Sequence, residues 1–252
     1  LLAGRAALRL GSGRVYVGLL DQNAPAVDLL HAELMLRPPQ HLLDTPLTAL
    51  LCGPGMGDSD AARELLDAAF QRPLPLVLDA DALNLLAADG QLRTQLSARQ
   101  SPTLLTPHPT EAARLLACST EDIQAERRMA ALEIATRYTA FVALKGCGTL
   151  LATPSGKWFV NTSGNPGLAS AGSGDVLSGI ITALLAQGWP AQEALCAAVH
   201  LHGCAADDLV AQGCGPIGLS AGELIDSARH GLNQWIAGAA PALSLPTPHL
   251  RK

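Results

Sequence analysis

Residues 161–179 read NTSGNPGLASAGSGDVLSG, and the end of that stretch decides how the rest of the chain is read. A Gly-Ser-Gly run at 172–174 opens an apolar pattern of helical period. The N–H groups in the first turn of a helix lack partners and point outward, and glycine lets a phosphate approach them closely. The run is therefore a candidate anion cradle, with Gly172, Ser173 and Gly174 as its donors. Asp175 follows at once. A carboxylate does not help to bind phosphate, but it can accept a proton from a hydroxyl that attacks one. The stretch points to phosphoryl transfer with Asp175 as general base.

Upstream, strand-like runs occupy 15–20, 48–52, 76–79, 103–106, 141–145, 149–152 and, more briefly, 158–160. Several are apolar throughout, as strands buried on both faces are. Helical patterns over 3–10, 60–70, 110–117 and 121–138 alternate with them, which predicts an α/β fold. Its mostly parallel central sheet carries helices on both faces. Beyond 174 the pattern is helical almost to the end, with helices expected over 175–187, 191–211 and 221–236. One domain is expected over 1–240, followed by a loose Pro-rich tail over 241–252.

The 252 residues, 48% of them hydrophobic, can bury a sizeable core. A net charge of −5, with Lys and Arg scattered, leaves no basic stripe for nucleic acid, so a small-molecule partner is expected. No apolar run reaches the roughly 18 residues of a membrane span, and the start LLAGRAALRL lacks a signal-peptide core. A cytoplasmic protein without membrane partners is the expectation. Leu1 falls inside a helical pattern and is not an initiator Met, so residues upstream of this numbering are expected too. The six cysteines form no C-x-x-C pair and are expected to be buried, reduced thiols.

Four motifs each follow a strand-like run, and in open α/β sheets ligands gather outside the carboxyl ends of the strands. Gly53-Pro54-Gly55-Met56-Gly57 follows TALLC; its glycines could bring amides to a phosphate, or simply make a strand-to-helix turn. Asp79 and Asp81 follow LVL, where they could hold Mg2+ through water, bind substrate hydroxyls, or cap a helix beginning near Leu83. His108, between two prolines, is read as a ligand contact, while Glu111 falls in a helical first turn where the dipole favours a carboxylate. Lys145 ends FVAL before Gly146 and Gly148; it could meet phosphates or ribose, and the same glycines could close a hairpin. Other polar groups read as structural. His200 and His202, two apart on a helix, face different directions and are expected to pack, not to share a metal. Asp207, Asp208, Arg127 and Arg128 are expected on solvated helix faces.

Taken in order, GPGMG, VLDADALN, LLTPHPTE, ALKGCGT, NTSGNPGLASAGSGDVLSGI and HLHGCAADDL resemble the motif series of the ADP-dependent NAD(P)H-hydrate dehydratases, within the ribokinase-like superfamily. The match in order and spacing spans nearly all of 1–230. This resemblance implies a lyase of metabolite repair. It would return hydrated NADH or NADPH (NADHX, NADPHX) to the working cofactor while cleaving ADP to AMP and phosphate. It further implies that Lys145, Gly146, Cys147, Gly148 and Thr149 form a loop against AMP, and that Gly174 also touches the nucleotide. His108, Asp175 and either Gly55 or Gly57 become contacts to the hydrate.

Mg2+ bridging the phosphates is also implied, with Glu111 as an outer-shell partner, because His108-x-x-Glu111 stands where the superfamily has Asn-x-x-Glu. Family members usually show Gly at the position of Thr110, and a glycine-rich segment ending in Gly-Ala before the position of Leu1. Without that segment one wall of the pocket has no assigned residues. Bifunctional relatives carry an epimerase domain in front and relatives are often tetramers, so a homo-oligomer, open to such a fusion, is expected. Two rival readings stand beside this one: a small-alcohol kinase such as hydroxyethylthiazole kinase, and a non-catalytic nucleotide-binding regulator.

Overall fold

The computed structural model describes residues 1–21 and 23–239; the tail expected over 241–252 lies outside them. The chain opens with α1 (Leu2–Arg9), β1 (Tyr16–Gly18) and β2 (Met35–Arg37). The run over 15–20 does form a strand, but β1 pairs in parallel only with β2, and the two make a small sheet of their own. Next come β3 (Leu50–Cys52), α2 (Asp60–Phe70), β4 (Leu76–Leu78), α3 (Asp81–Ala88), α4 (Gly90–Ser97), β5 (Thr103–Leu105) and α5 (Pro109–Leu116). They lead through α6 (Thr120–Ala125) and α7 (Arg127–Arg137) to β6 (Phe141–Leu144). Strands β3 to β6 are parallel neighbours. β7 (Leu150–Ala152) and β8 (Trp158–Val160) extend this sheet antiparallel. Three helices complete the described chain: α8 (Ser173–Ala186), α9 (Ala191–Ala211) and α10 (Ala221–Ala239).

Side chains alternate across a strand, and here the alternation sorts residues into two cores. Val77, Leu104 and Ala143 pack on one face with Val176, Ile180 and Leu201 of α8 and α9. Leu76, Leu78, Leu105 and Val142 pack on the other with Leu66 of α2, Leu83 of α3 and Ile134 of α7. Covered on both faces, the central strands need no polar positions, which is why they read as continuous apolar runs.

Several expectations need correcting. The single helix over 121–138 is two, because Glu126 leaves helical space at φ −131, ψ 49. The helix near Leu83 begins at Asp81 and is followed by α4, which starts where Asp89 accepts hydrogen bonds from the N–H groups of Gln91 and Leu92. α9 is long and apolar enough to cross a membrane by length and composition, although no uninterrupted apolar run announces it. It packs between α8 and α10 as a core helix. The cysteines are all free, but Cys118, Cys147 and Cys214 are exposed and the other three only partly buried, against the expectation of buried thiols.

A cavity of about 380 Å3 lies between the two sheets. Every residue from 11 to 20 and every residue from 46 to 56 lines it. Since consecutive strand residues face opposite sides, a wall made of an unbroken run is a wall of main chain. The edges of β1 and β3 that carry no partner strand among the described residues thus face this cavity, and Ala3, Gly4 and Ala7 of α1 close one side.

Candidate active site

Parallel β3, β4, β5 and β6 end at one edge, so the motifs that follow them meet. Asp79, directly after β4, is 1% exposed. Its Oδ1 accepts a hydrogen bond from Lys145 Nζ at 2.8 Å, and its Oδ2 accepts one from Ser178 Oγ on α8. Lys145 Nζ also stands 3.9 Å from Glu111 Oε2. One ammonium thus lies between two buried carboxylates, brought from three strand ends. Above it runs the start of α8: a Cβ built on Gly174 would be 3.3 Å from Lys145 Nζ and 3.9 Å from Asp79 Oδ2.

The turn into α8 needs glycine at 172, where φ is +83 and a side chain would press on Leu2 Cδ1 at 2.5 Å. The Ser173 N–H already points at Ser170 O, 3.3 Å away, and its hydroxyl donates to Leu168 O at 2.6 Å. The N–H groups of Gly174 and Asp175 have no acceptor among the described residues. The open donors of the cradle therefore include Asp175 itself, while Ser173 is committed elsewhere. The half-buried Asp175 carboxyl is pushed above the ordinary Asp range, first by burial and then by the charge of Asp79. Asp81 adds to the rise, and Lys145 opposes it.

His108 caps α5. Its Nδ1 accepts from the N–H groups of Thr110 at 3.1 Å and Glu111 at 3.3 Å, so the ring proton belongs on Nε2, 3.3 Å from Glu111 Oε1. Burial lowers its pKa, which favours this neutral form. Glu111 completes the capping box by accepting the His108 N–H at 2.7 Å. In the GPGMG turn a Cβ on Gly53 would collide with the Asp79 carbonyl, so the two strand ends touch through their main chains. Nothing stands within 4 Å of a Cβ on either Gly55 or Gly57, but the Gly57 N–H donates to Asp81 Oδ2 at 2.8 Å whereas the Gly55 N–H has no acceptor among the described residues. Of the two glycines expected to meet a ligand, Gly55 is the unencumbered one.

The Lys145–Thr149 loop closes the β6–β7 hairpin, with Gly146 at φ +138 and Gly148 at φ +65. Arg127 holds it: the guanidinium donates to Cys147 O at 2.6 Å and to Leu144 O and Lys145 O at 3.3 Å each. Thr149 Oγ1 donates to Gly146 O at 3.1 Å.

No three His, Cys, Asp or Glu side chains form a metal-binding group among the described residues. Both Glu111 oxygens are engaged by His108, and the nearest carboxylates already share the Lys145 ammonium. This donor set suits a cation carried on phosphates and water, with Glu111 no nearer than the outer shell.

The sequence profile described as NAD(P)H-hydrate dehydratase matches residues 1–228. The chain belongs to the NAD(P)H-hydrate dehydratase family. It is 44% identical over 233 residues to the ADP-dependent (S)-NAD(P)H-hydrate dehydratase of Neisseria meningitidis serogroup B, covering 91% of this chain and 78% of that protein. It is 39% identical over 237 residues to the bifunctional NAD(P)H-hydrate repair enzyme Nnr of Coxiella burnetii, covering 90% of this chain but 46% of that longer protein. The ADP/ATP-dependent NAD(P)H-hydrate dehydratase of Bacillus subtilis, co-crystallised with ATP/Mg2+, superposes with a TM-score of 0.80 at 28% identity. That alignment covers 93% of this chain and 83% of the other. The expected ribokinase-like fold is shown by the superposition, at a TM-score of 0.76, with a ribokinase-like superfamily protein of Enterococcus faecalis.

Seen as an NAD(P)H-hydrate dehydratase, the chain uses several residues that sequence reading set aside. Arg127 is no solvated surface charge but the clamp of the glycine loop. Arg128 does reach outward, its guanidinium 5.5 Å from the Trp158 ring. Asp207 accepts from Gly164 N–H at 2.8 Å and from Asn165 Nδ2 at 2.9 Å, so it ties α9 to the segment that leads into the cradle. Asp79 neither caps α3 nor lies open to a ligand. Ser178 went unread, although a hydroxyl four residues after Gly174 on an apolar helix faces the same way and was a usable signal. Of the two histidines, His202 is buried beside the main chain of Ser173, and His200 stacks on Trp235 with ring centroids 5.9 Å apart.

Proposed function

We propose that this chain dehydrates NADHX and NADPHX at the expense of ADP, with Asp175 as the base. The observation that carries the reading is a half-buried carboxylate in the first turn of α8, next to amides without acceptors and facing a fixed ammonium. Asp175 takes the proton of the ring hydroxyl as its oxygen forms a bond to the β-phosphorus of ADP. The bond from that phosphorus to the bridging oxygen breaks, and AMP leaves. The open amides of Gly174 and Asp175, with Lys145 beneath, stabilise the charge gathering on the phosphoryl oxygens. The ring nitrogen's lone pair then expels phosphate with the C–O electrons, and loss of a proton from the adjacent ring carbon restores the dihydropyridine.

The loop 145–149, held by Arg127, receives AMP, while His108 and Gly55 contact the hydrate. His108 meets the hydrate with a neutral ring, its Nδ1 occupied by the α5 cap and its Nε2 beside Glu111. Mg2+ on the diphosphate would supply further charge neutralisation, with Glu111 as the outer-shell residue nearest to it.

The test is an assay of purified protein with chemically prepared NADHX, comparing ADP, ATP and no nucleotide. The reading expects absorbance at the wavelength of NADH to rise only with nucleotide, with AMP and phosphate released from ADP in equal amounts. A stable phosphorylated product without NADH would identify a kinase instead. AMP binding without any turnover would identify a regulator.

A further inference from the structure

The most deeply buried carboxylate of the site has no part in that reaction. At 1% exposure Asp79 is out of reach of a substrate, yet it touches both halves of the site. Its Oδ1 receives Lys145 from the end of β6 at 2.8 Å. Its Oδ2 receives the hydroxyl of Ser178, which also lies 2.9 Å from Gly174 O in the first turn of α8. Lys145 has a four-carbon stem and no rigid fork, so its ammonium stays under the cradle only where a partner fixes it.

We propose that Asp79 is a positioning residue: it pins the Lys145 ammonium beneath the first turn of α8 and faces Asp175 with a like charge. Two consequences follow for the reaction proposed above, on which the kinetic part of this inference rests. The ammonium is placed before the diphosphate arrives, so no reorganisation is needed as charge develops. The negative charge of Asp79 makes Asp175 a stronger base than an isolated aspartate, because a neighbouring like charge disfavours ionisation. The side-chain charges that act on Asp175 are those of Asp79, Lys145 and Asp81. Of these, Asp81 accepts from the Gly57 N–H, and Asp79 alone is tied to both Lys145 and α8.

Asp79→Asn tests this, since it keeps the shape and an acceptor for Ser178 while removing the charge. The Asp175 carboxyl is followed by carbon-13 NMR titration of the full chain, its signal assigned by loss in Asp175→Asn. The expected result is a midpoint lowered by about one pH unit, because the like charge is gone and the freed ammonium turns toward the remaining carboxylates. With NADHX and ADP, kcat at neutral pH should fall roughly tenfold or more, and the acid limb of its pH profile should move to lower pH by the same step.

If Asp79→Asn does not fold, Lys145→Met paired with Asp79→Asn removes both charges together. The Asp175 midpoint should then lie lower in the double variant than in Lys145→Met alone, because only the like charge of Asp79 distinguishes the two. An Asp175 titration unmoved between wild type and Asp79→Asn, or between Lys145→Met and the double variant, overturns the proposal. The NMR measurement needs no turnover. Should the wild-type protein fail to convert the hydrate, the reaction is misassigned, and the titration still decides the role of Asp79.

Discussion

His202 shows how a buried titratable group couples the site to stability. Burial lowers its pKa to about 4, against the opposing effect of the Ser173 main chain, and its Nε2 has no partner among the described residues. The unfolded chain takes up a proton near the ordinary value of 6.5, whereas the folded protein resists it. Stability from this group is therefore intact above 6.5 and falls as pH drops toward 4, by about 3 kcal/mol in all. His202→Gln should flatten the slope of unfolding free energy against pH in that window, as read by urea denaturation. An unchanged slope would mean the imidazole is not its source. Arg127 makes a second prediction at this scale. Truncation to Ala releases three carbonyls of the glycine loop, so KM for ADP should rise about tenfold with kcat little changed. Arg127→Lys should recover little, since an ammonium cannot span three acceptors as a planar fork does. Equal KM values in Arg127→Ala and wild type would show that the loop needs no clamp.

The element that carries the cradle is α8, and it depends on how closely α1 approaches it. A Cβ on Gly179 would collide with the Ala3 carbonyl and stand 2.8 Å from Ala6 Cβ. Gly179→Ala should accordingly cost about 1–3 kcal/mol in stability, despite alanine's better helix propensity, and thermal denaturation reads the loss directly. A gain in stability would show that the two helices have room to part. Elements with strong local signals were legible in the sequence: the Gly-Ser-Gly start of α8, the apolar runs of β4 and β5, and the hairpin around Gly146 and Gly148. β2 was not, because Met-Leu-Arg carries no alternation and becomes a strand only through its pairing with β1. The break at Glu126 was hidden because 121–138 contains neither Gly nor Pro, so only tertiary packing divides it. Amides at 16–18 and 50–52 sit in strands with one open edge, whereas 76–78 are paired on both sides. Hydrogen exchange should therefore be faster in the first two segments than in β4, and equal protection would mean those edges are covered.

Across the whole molecule, a parallel sheet gathers at one edge groups that are far apart in the chain. Asp79, His108, Lys145 and Asp175 come from different connections yet converge because β4, β5 and β6 all end on the same side and α8 starts above them. That convergence was readable from motifs placed after strands. The partners inside it were not: spacing alone cannot say that Lys145 chooses Asp79, that Ser173 spends its N–H on Ser170, or that Arg127 turns inward. The first and last of these are decided by packing between residues 66 and 20 positions apart, for which a single sequence carries no signal.

The direct test of the central claim is the initial rate of NADH formation from NADHX and ADP by Asp175→Asn beside the wild-type protein, with AMP affinity measured on the same samples. Asparagine keeps the shape but cannot accept the proton, so the account predicts a rate lower by roughly a thousandfold or more with AMP binding preserved. A variant that binds AMP normally and forms NADH at the wild-type rate would contradict it.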